Sequence, residues 1–263
     1  MVDYDYIECG DCLKLMKQIP DKSIDLTVTS PPYDNLRTYN GYTFDFENIA
    51  KELYRITKEG GVVVWIVNDA VINGSESGTS FKQALYFKKC GFNIHDTMIW
   101  AKDSFSFPDK TRYGQAFEYM FIFSKGKPKI VNKIIDRKNK WAGTSVHGTS
   151  RNKDGTTFRK SNHNKNNVKE YGERFNIWKM PGEKANKTGH PAVFPLQLAE
   201  DHIKSWSNEN AIVLDPFLGS GTTAIAADKT NRHYIGFEIS EKYFDIACKR
   251  LDEAEGVNNV SII

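Results

Sequence analysis

Residues Thr29-Ser30-Pro31-Pro32-Tyr33 follow a short apolar run, Ile24-Asp25-Leu26-Thr27-Val28, and their types suit the capture of a planar amine. Two consecutive prolines fix φ and carry no N–H, so the turn presents carbonyl oxygens without competing donors. A hydroxyl precedes the prolines and an aromatic ring follows them. The exocyclic amino group of a nucleobase needs an acceptor for each of its two hydrogens, and a flat surface to stack on once the base has left the duplex. Ser30 Oγ, the Pro31 carbonyl and the Tyr33 ring would supply all three, with Pro32 stiffening the turn. An ordinary Ser-Pro-Pro turn ending a strand has the same composition, so the tetrapeptide alone leaves both readings open.

A second stretch points to a nucleoside cofactor. Ala211-Ile212-Val213-Leu214-Asp215 reads as a buried strand, and Pro216-Phe217-Leu218-Gly219-Ser220-Gly221-Thr222-Thr223 as a glycine turn that opens a helix. Glycines let backbone approach a ligand closely, and the helix N-terminus behind them favours a carboxylate or phosphate. The next strand, His233-Tyr234-Ile235-Gly236-Phe237, ends at Glu238, where an acid is placed to accept both hydroxyls of a ribose. The run Gly219 to Ala224 also matches the G-x-G-x-x-[GA] pattern of dinucleotide enzymes. However, only 25 residues follow Glu238, too few to complete a dinucleotide fold, and a dehydrogenase has no use for Ser-Pro-Pro-Tyr. S-adenosylmethionine accounts for the pieces better, with its amino-acid end at the glycine turn and Asp215 and its ribose at Glu238.

These residues need a scaffold, and 263 residues can bury a core large enough for one α/β domain with an insertion. Seven segments read as strands, roughly 4–9, 24–29, 61–67, 92–101, 116–124, 211–215 and 233–237. Helical patterns lie between them at about 12–19, 44–59, 79–90, 194–208, 221–230 and 240–254. In 44–59, Phe46, Ile49, Leu53 and Ile56 form an apolar stripe that Gly60-Gly61 is expected to terminate. Alternation of strands and helices predicts an α/β fold, doubly wound around a mostly parallel sheet. Segments 92–101 and 116–124, with no helix between them, read as an antiparallel pair at a sheet edge.

The net charge of +3 hides an asymmetry. Residues 129–187 hold 15 Lys and Arg against 5 Asp and Glu, leaving 21 basic against 28 acidic residues in the remainder. One stretch therefore carries all the excess positive charge, as expected of a phosphate-backbone partner, although a solvated loop would share the composition. Trp141, Phe158, Tyr171, Phe175 and Trp178 are interleaved with its cations, which suits stacking beside phosphate contacts. Arg137, Lys138, Lys140, Arg159 and Lys160 are the candidate DNA-binding residues. The N-terminus lacks the basic and apolar regions of a secretion signal and no segment approaches a membrane span, so a cytoplasmic protein without a membrane partner is expected. Cys9-Gly10-Asp11-Cys12 forms a C-x-x-C, but Cys90 and Cys248 stand alone with no histidine at ligand spacing, and no metal is expected.

In its motifs and their order the chain resembles the β class of DNA amino-methyltransferases, in which a catalytic S/D-P-P-Y precedes an F-x-G-x-G cofactor motif with the target-recognition region between them. Here these are Ser30-Pro31-Pro32-Tyr33 and Phe217-Leu218-Gly219-Ser220-Gly221. Gly10-Asp11-Cys12-Leu13 resembles the third motif of that class, and His190-Pro191 through Pro195 its tenth. The resemblance covers about 1–128 and 188–263. It implies a circularly permuted, Rossmann-like methyltransferase fold of seven strands: a catalytic first part at 1–128, a target-recognition region at 129–187 and a cofactor-binding second part at 188–263. It implies that Asp11 and Cys12 lie at the cofactor's adenine, that His190, Pro191, Asp215, Phe217, Gly219, Ser220, Gly221, Thr222 and Thr223 surround its methionine end, and that Glu238 holds the ribose. The implied reaction is direct methyl transfer from S-adenosylmethionine to a flipped-out base in double-stranded DNA, in a prokaryotic or phage setting. Cytosine C5 methylation uses a Pro-Cys nucleophile, and this sequence has no Pro-Cys. Serine in the first motif position resembles the N4-cytosine enzymes, while many N6-adenine enzymes carry aspartate there. N6-adenine remains the alternative, followed by a catalytically silent nucleic-acid-binding module. A separate cognate restriction endonuclease and a homodimer are both compatible with the resemblance.

Overall fold

The structure is a computed structural model that describes residues 3–32, 44–103, 110–145, 148–159, 167–182, 194–255 and 261–262. Its main sheet has nine strands: β1 (Tyr6–Cys9), β2 (Ile24–Thr29), β3 (Thr57–Val67), β4 (Asn93–Ala101), β5 (Phe117–Ser124), β6 (Ile177–Lys179), β7 (Ile212–Asp215), β8 (His233–Glu238) and β9 (Ser261–Ile262). They lie in the order β6-β4-β5-β3-β2-β7-β8-β1-β9. Only β5 runs antiparallel to its neighbours in this sheet. Among the described residues six helices complete the α/β alternation: α1 (Cys12–Met16), α2 (Phe46–Ile56), α3 (Thr79–Cys90), α4 (Leu196–Trp206), α5 (Thr222–Lys229) and α6 (Glu241–Glu255). Helices α1, α2 and α3 pack in one layer, and α4, α5 and α6 in another.

All seven expected strands and six expected helices are present, with three differences. The β4–β5 pair is not at an edge, because β6 adds in parallel outside β4, pairing Ile177–Lys179 with Ile99–Ala101. A three-residue strand inside a polar, basic stretch leaves no pattern to read. At the other edge β9 pairs with β1. Third, α2 ends at Ile56 and runs directly into β3 at Thr57, so Gly60-Gly61 lies inside the strand. There it shapes a bulge between the Ile24–Thr57 and Leu26–Val62 pairings of β2 and β3. A Cβ on Gly61 would stand 2.9 Å from the Lys58 carbonyl and 3.0 Å from that of Asp25, so no larger residue fits.

The buried face of α2, Ile49, Ala50, Leu53 and Ile56, follows the stripe in the sequence and packs with an aromatic cluster of Trp65, Phe87, Phe92 and Phe123. The Phe87 and Phe123 rings stack at 4.3 Å, and Trp65 Nε1 donates to Gln83 Oε1 at 2.9 Å. Each such side chain contributes about 1.5–3 kcal/mol by leaving water, which fixes β3 and so its neighbour β2.

The chain forms two compact units, Met1–Asn132 with Asn176–Ile263, and Lys133–Phe175. The second lies within the 129–187 stretch marked by its charge but is shorter at both ends. Lys129 and Asn132 donate their N–H groups to the carbonyls of Gly60 and Ser205, which ties that segment to the first unit, and Ile177–Lys179 belongs to its sheet.

Candidate active and cofactor site

Strands β2, β7, β8 and β1 are consecutive and parallel, so their carboxyl ends share one edge of the sheet. Each expected site stretch within the described residues of the first unit follows one of these ends. Ser30-Pro31-Pro32 follows β2, Asp215 ends β7 before the glycine turn, Glu238 ends β8, and Gly10-Asp11 follows β1. Ligands of open α/β sheets bind beyond such carboxyl ends.

The β2–β7 junction is pinned twice. At its start Asp25 Oδ2 accepts from Ile212 N at 3.0 Å and from Lys58 Nζ at 2.7 Å. At its end Thr29 Oγ1 donates to Asp215 Oδ1 at 2.6 Å, across 186 residues of sequence. The same oxygen accepts from Phe217 N at 3.0 Å, and Thr223 Oγ1 donates to the Val28 carbonyl at 3.2 Å. Asp215 is only 2% exposed. Burial pushes its carboxyl up to about 6, against the opposing pull of the Thr29 and Thr223 hydroxyls and the Phe217 N–H. Ser30 is half-buried and Pro31 buried.

The glycine turn packs tightly against α6. Gly221 is the N-cap of α5 at φ 84°, and a Cβ there would meet Ala247 Cβ of α6 at 3.2 Å. From α6, Arg250 Nη1 donates to the Ser220 carbonyl and to Ser220 Oγ, the latter at 2.8 Å, and reaches Thr222 Oγ1 at 3.4 Å. Ser220, Thr222 and Thr223 are all buried. Glu238 accepts from Gly219 N at 2.8 Å through Oε2 and from Ser240 N at 2.9 Å through Oε1. Each oxygen retains a second lone pair for a ribose hydroxyl. Burial raises the Glu238 carboxyl, the Ser240 and Gly219 N–H groups oppose the rise, and the Asp215 charge adds to it.

At β1, Asp11 caps α1, with Oδ1 accepting from Leu13 N at 2.9 Å. It stands beside Glu238, because Cys9 pairs with Glu238 and Gly10 N donates to the Glu238 carbonyl at 2.9 Å. Cys12 points into the core, and burial pushes its thiol up to about 12, so it serves as packing rather than as a nucleophile. Phe217 packs edge-on to Phe44 and Trp65 at 5.6 and 6.1 Å. Tyr33, His190, Pro191 and Lys160 lie outside the described residues, as does the side chain of Arg159.

In the Lys133–Phe175 unit, Arg137–Lys138 pairs with Tyr171–Gly172, and Thr149–Arg151 pairs with Thr157–Arg159. Arg137 is half-buried, donates Nε to the Glu173 carbonyl at 2.9 Å and lies over the Phe175 ring at 4.4 Å. It braces the unit. Lys138 and Lys140 are exposed, as are Trp141, Phe158, Tyr171 and Phe175.

Two contributors escape sequence reasoning. Thr29 directly precedes the proline turn, and its hydroxyl is legible as functional only once β2 and β7 are adjacent. Arg250 sits on an ordinary amphipathic helix, where nothing in the local pattern distinguishes it from a surface cation.

A family model described as DNA methylase matches residues 24–249. The orphan methyltransferase M.BamHII of Bacillus amyloliquefaciens is 61% identical over 245 residues, covering 90% of this chain and 92% of that protein. Among solved structures, the PvuII DNA methyltransferase (cytosine-N4-specific) superposes with a TM-score of 0.68 at 20% identity over 98% of this chain and 96% of that one. The complex of M1.HpyAVI with SAM gives a TM-score of 0.60 at 23% identity, over 93% and 98% of the two chains.

Proposed function

This chain belongs to the N6/N4 DNA methylase family, and from that premise we propose that it transfers a methyl group from S-adenosylmethionine to the exocyclic N4 of a flipped-out cytosine in a specific duplex sequence. The observation that carries the reading is the 2.6 Å bond from Thr29 to Asp215, which joins the amine-accepting turn to the glycine turn at one sheet edge. The cofactor fits the residues present. Asp215 is a buried carboxylate suited to an ammonium group, and Glu238 offers lone pairs to a ribose. When bound, S-adenosylmethionine supplies an electrophilic methyl group.

The protein's own task is to prepare the nucleophile. An aromatic exocyclic nitrogen has its lone pair delocalised into the ring. Ser30 Oγ and the Pro31 carbonyl accept its two hydrogens, which draws the nitrogen toward tetrahedral geometry and directs the lone pair out of the ring plane. Tyr33 supplies the stacking face for the extruded base, a contact worth about 1–3 kcal/mol. Serine at position 30 supports cytosine as the target. We assign Lys133–Phe175, with eleven Lys and Arg against four Asp and Glu, as the core of the target-recognition region.

Methylated-base mass spectrometry on DNA from cells producing the protein tests this reading. N4-methylcytosine is expected, and it should disappear in Ser30→Ala and Tyr33→Ala variants. N6-methyladenine in its place would change the target base, and the absence of both would overturn the reading.

A further inference from the structure

Thr29 is fully buried at the end of β2, directly before the Ser30 and Pro31 acceptors, and its hydroxyl is committed to the carboxylate that ends β7. We propose that Thr29 is a positioning residue for methyl transfer, locking the Ser30-Pro31 turn to Asp215 so that the group receiving the cofactor's ammonium also fixes the acceptors of the target amine. The proposal rests on the methyltransferase reading above.

Packing alone does not call for a threonine here. Valine has nearly the same shape, and Val28 and Val213 already line this junction. Thr27 provides an internal comparison, being equally buried on the same strand with no hydrogen-bond partner for its hydroxyl among the described residues. The hydroxyl of Thr29 instead approaches Asp215 Oδ1 to 2.6 Å, closer than the 3.0 Å of Phe217 N on the same oxygen.

A hydrogen bond to an ionised carboxylate is roughly twice as strong as one to a neutral acceptor, so the Thr29 tie is at full strength when Asp215 is ionised. The groups facing Asp215 are the uncharged Thr29 from β2, Thr223 from α5 and Phe217 N–H from the glycine turn, together with the ionisable Glu238 from β8.

The test compares Thr29→Val, Thr29→Ser and Thr27→Val in the full chain. In the ligand-free protein, the Asp215 carboxyl followed by NMR is expected to titrate near 6 in the wild type, in line with its burial. Thr29→Val should move that titration upward, because the bond that favours the charged form is gone. Thr29→Ser and Thr27→Val should leave it in place. In single-turnover methylation at saturating cofactor and DNA, Thr29→Val should be slower by roughly tenfold or more, with Thr29→Ser recovering most of the rate. Cofactor affinity measured well above the Asp215 titration should change by less than about threefold. An unmoved titration in Thr29→Val, or a rate loss that Thr29→Ser fails to restore, overturns the proposal. The titration needs neither cofactor nor DNA, so a failure there counts against Thr29 alone. A folded wild-type protein that methylates nothing counts against the methyltransferase reading and, with it, the positioning role.

Discussion

The carboxyl edge of the main sheet and the Lys133–Phe175 unit are held in shape by different forces. At the sheet edge, Thr29, Asp215, Thr223 and Glu238 are all buried, and their polar atoms meet partners on other strands and turns. In the basic unit the corresponding interactions lie in water. Lys133 and Glu173 pair at 2.9 Å with side chains 61% and 60% exposed, and Arg174 pairs with an Asp136 that is 48% exposed. Buried networks gain strength from low dielectric and penalise any missing member, whereas exposed pairs contribute about 0–1 kcal/mol. The first region is therefore pre-organised for chemistry and intolerant of change. The second rests on exposed pairs, each of which contributes little.

The sharpest way to break this comparison is at Asp215, where function and stability should move in opposite directions. Its carboxyl is raised from 3.8 to about 6, so the folded state binds a proton more tightly than the unfolded chain does. Stability tied to that proton is fully present below the unfolded value and is lost as pH rises through 6. At neutral pH and above, the ionised group costs the ligand-free protein up to about 3 kcal/mol. Asp215→Asn should therefore raise the melting temperature of the ligand-free protein at pH 8, by a margin that shrinks as pH falls below 6. The same variant should lose on the order of 10–100-fold in S-adenosylmethionine affinity, because a charge-assisted hydrogen bond is removed. Wild-type affinity should itself weaken as pH drops through 6. Calorimetry and thermal melts across pH report both effects, and a destabilised Asp215→Asn variant with intact affinity would show that the buried carboxylate is a structural acceptor only.

A smaller effect is expected at Arg250, which supports the glycine turn from α6. Removing its side chain strands the Ser220 carbonyl and hydroxyl, which are buried. Arg250→Ala should lower stability by about 1–3 kcal/mol and weaken cofactor binding by about tenfold, with Arg250→Lys intermediate. Lower stability with unchanged affinity would separate the turn from the cofactor site.

How far the sequence reveals each region follows from the same contrast. The turn at Ser30, the glycine run and the acid at Glu238 lie in short local patterns, bounded by apolar strands that burial makes conspicuous. The bonds that unite them are long-range, and no local pattern encodes that Thr29 meets Asp215 or that Arg250 reaches Ser220. In the basic stretch, composition reveals charge but not placement. Arg137 and Lys138 are adjacent in sequence, yet one braces the unit and the other faces solvent. The edge strand Ile177–Lys179 is equally hidden, because three residues carry no readable period and the strand exists only by pairing with β4.

The smallest expected effects, and the ones that sharpen the comparison most, belong to that adjacent pair. Lys138 and Lys140 are exposed, so reversing their charge should leave the melting temperature and cofactor affinity unchanged. If both face phosphates, Lys138→Glu with Lys140→Glu should flatten the dependence of DNA affinity on salt by about one unit of log-log slope for each phosphate no longer neutralised. Arg137→Ala should behave differently. It removes the donor to the Glu173 carbonyl and the cation over Phe175, so it should loosen the Lys133–Phe175 unit itself, visible as faster amide exchange across Arg137–Lys138 and Tyr171–Gly172. Affinity titrations over a series of salt concentrations, paired with hydrogen exchange, separate the two roles. An unchanged salt slope in the double lysine reversal would place the phosphate contacts on other residues. Unchanged exchange in Arg137→Ala would show that the unit does not depend on this half-buried brace, and the distinction drawn between neighbouring side chains would fail.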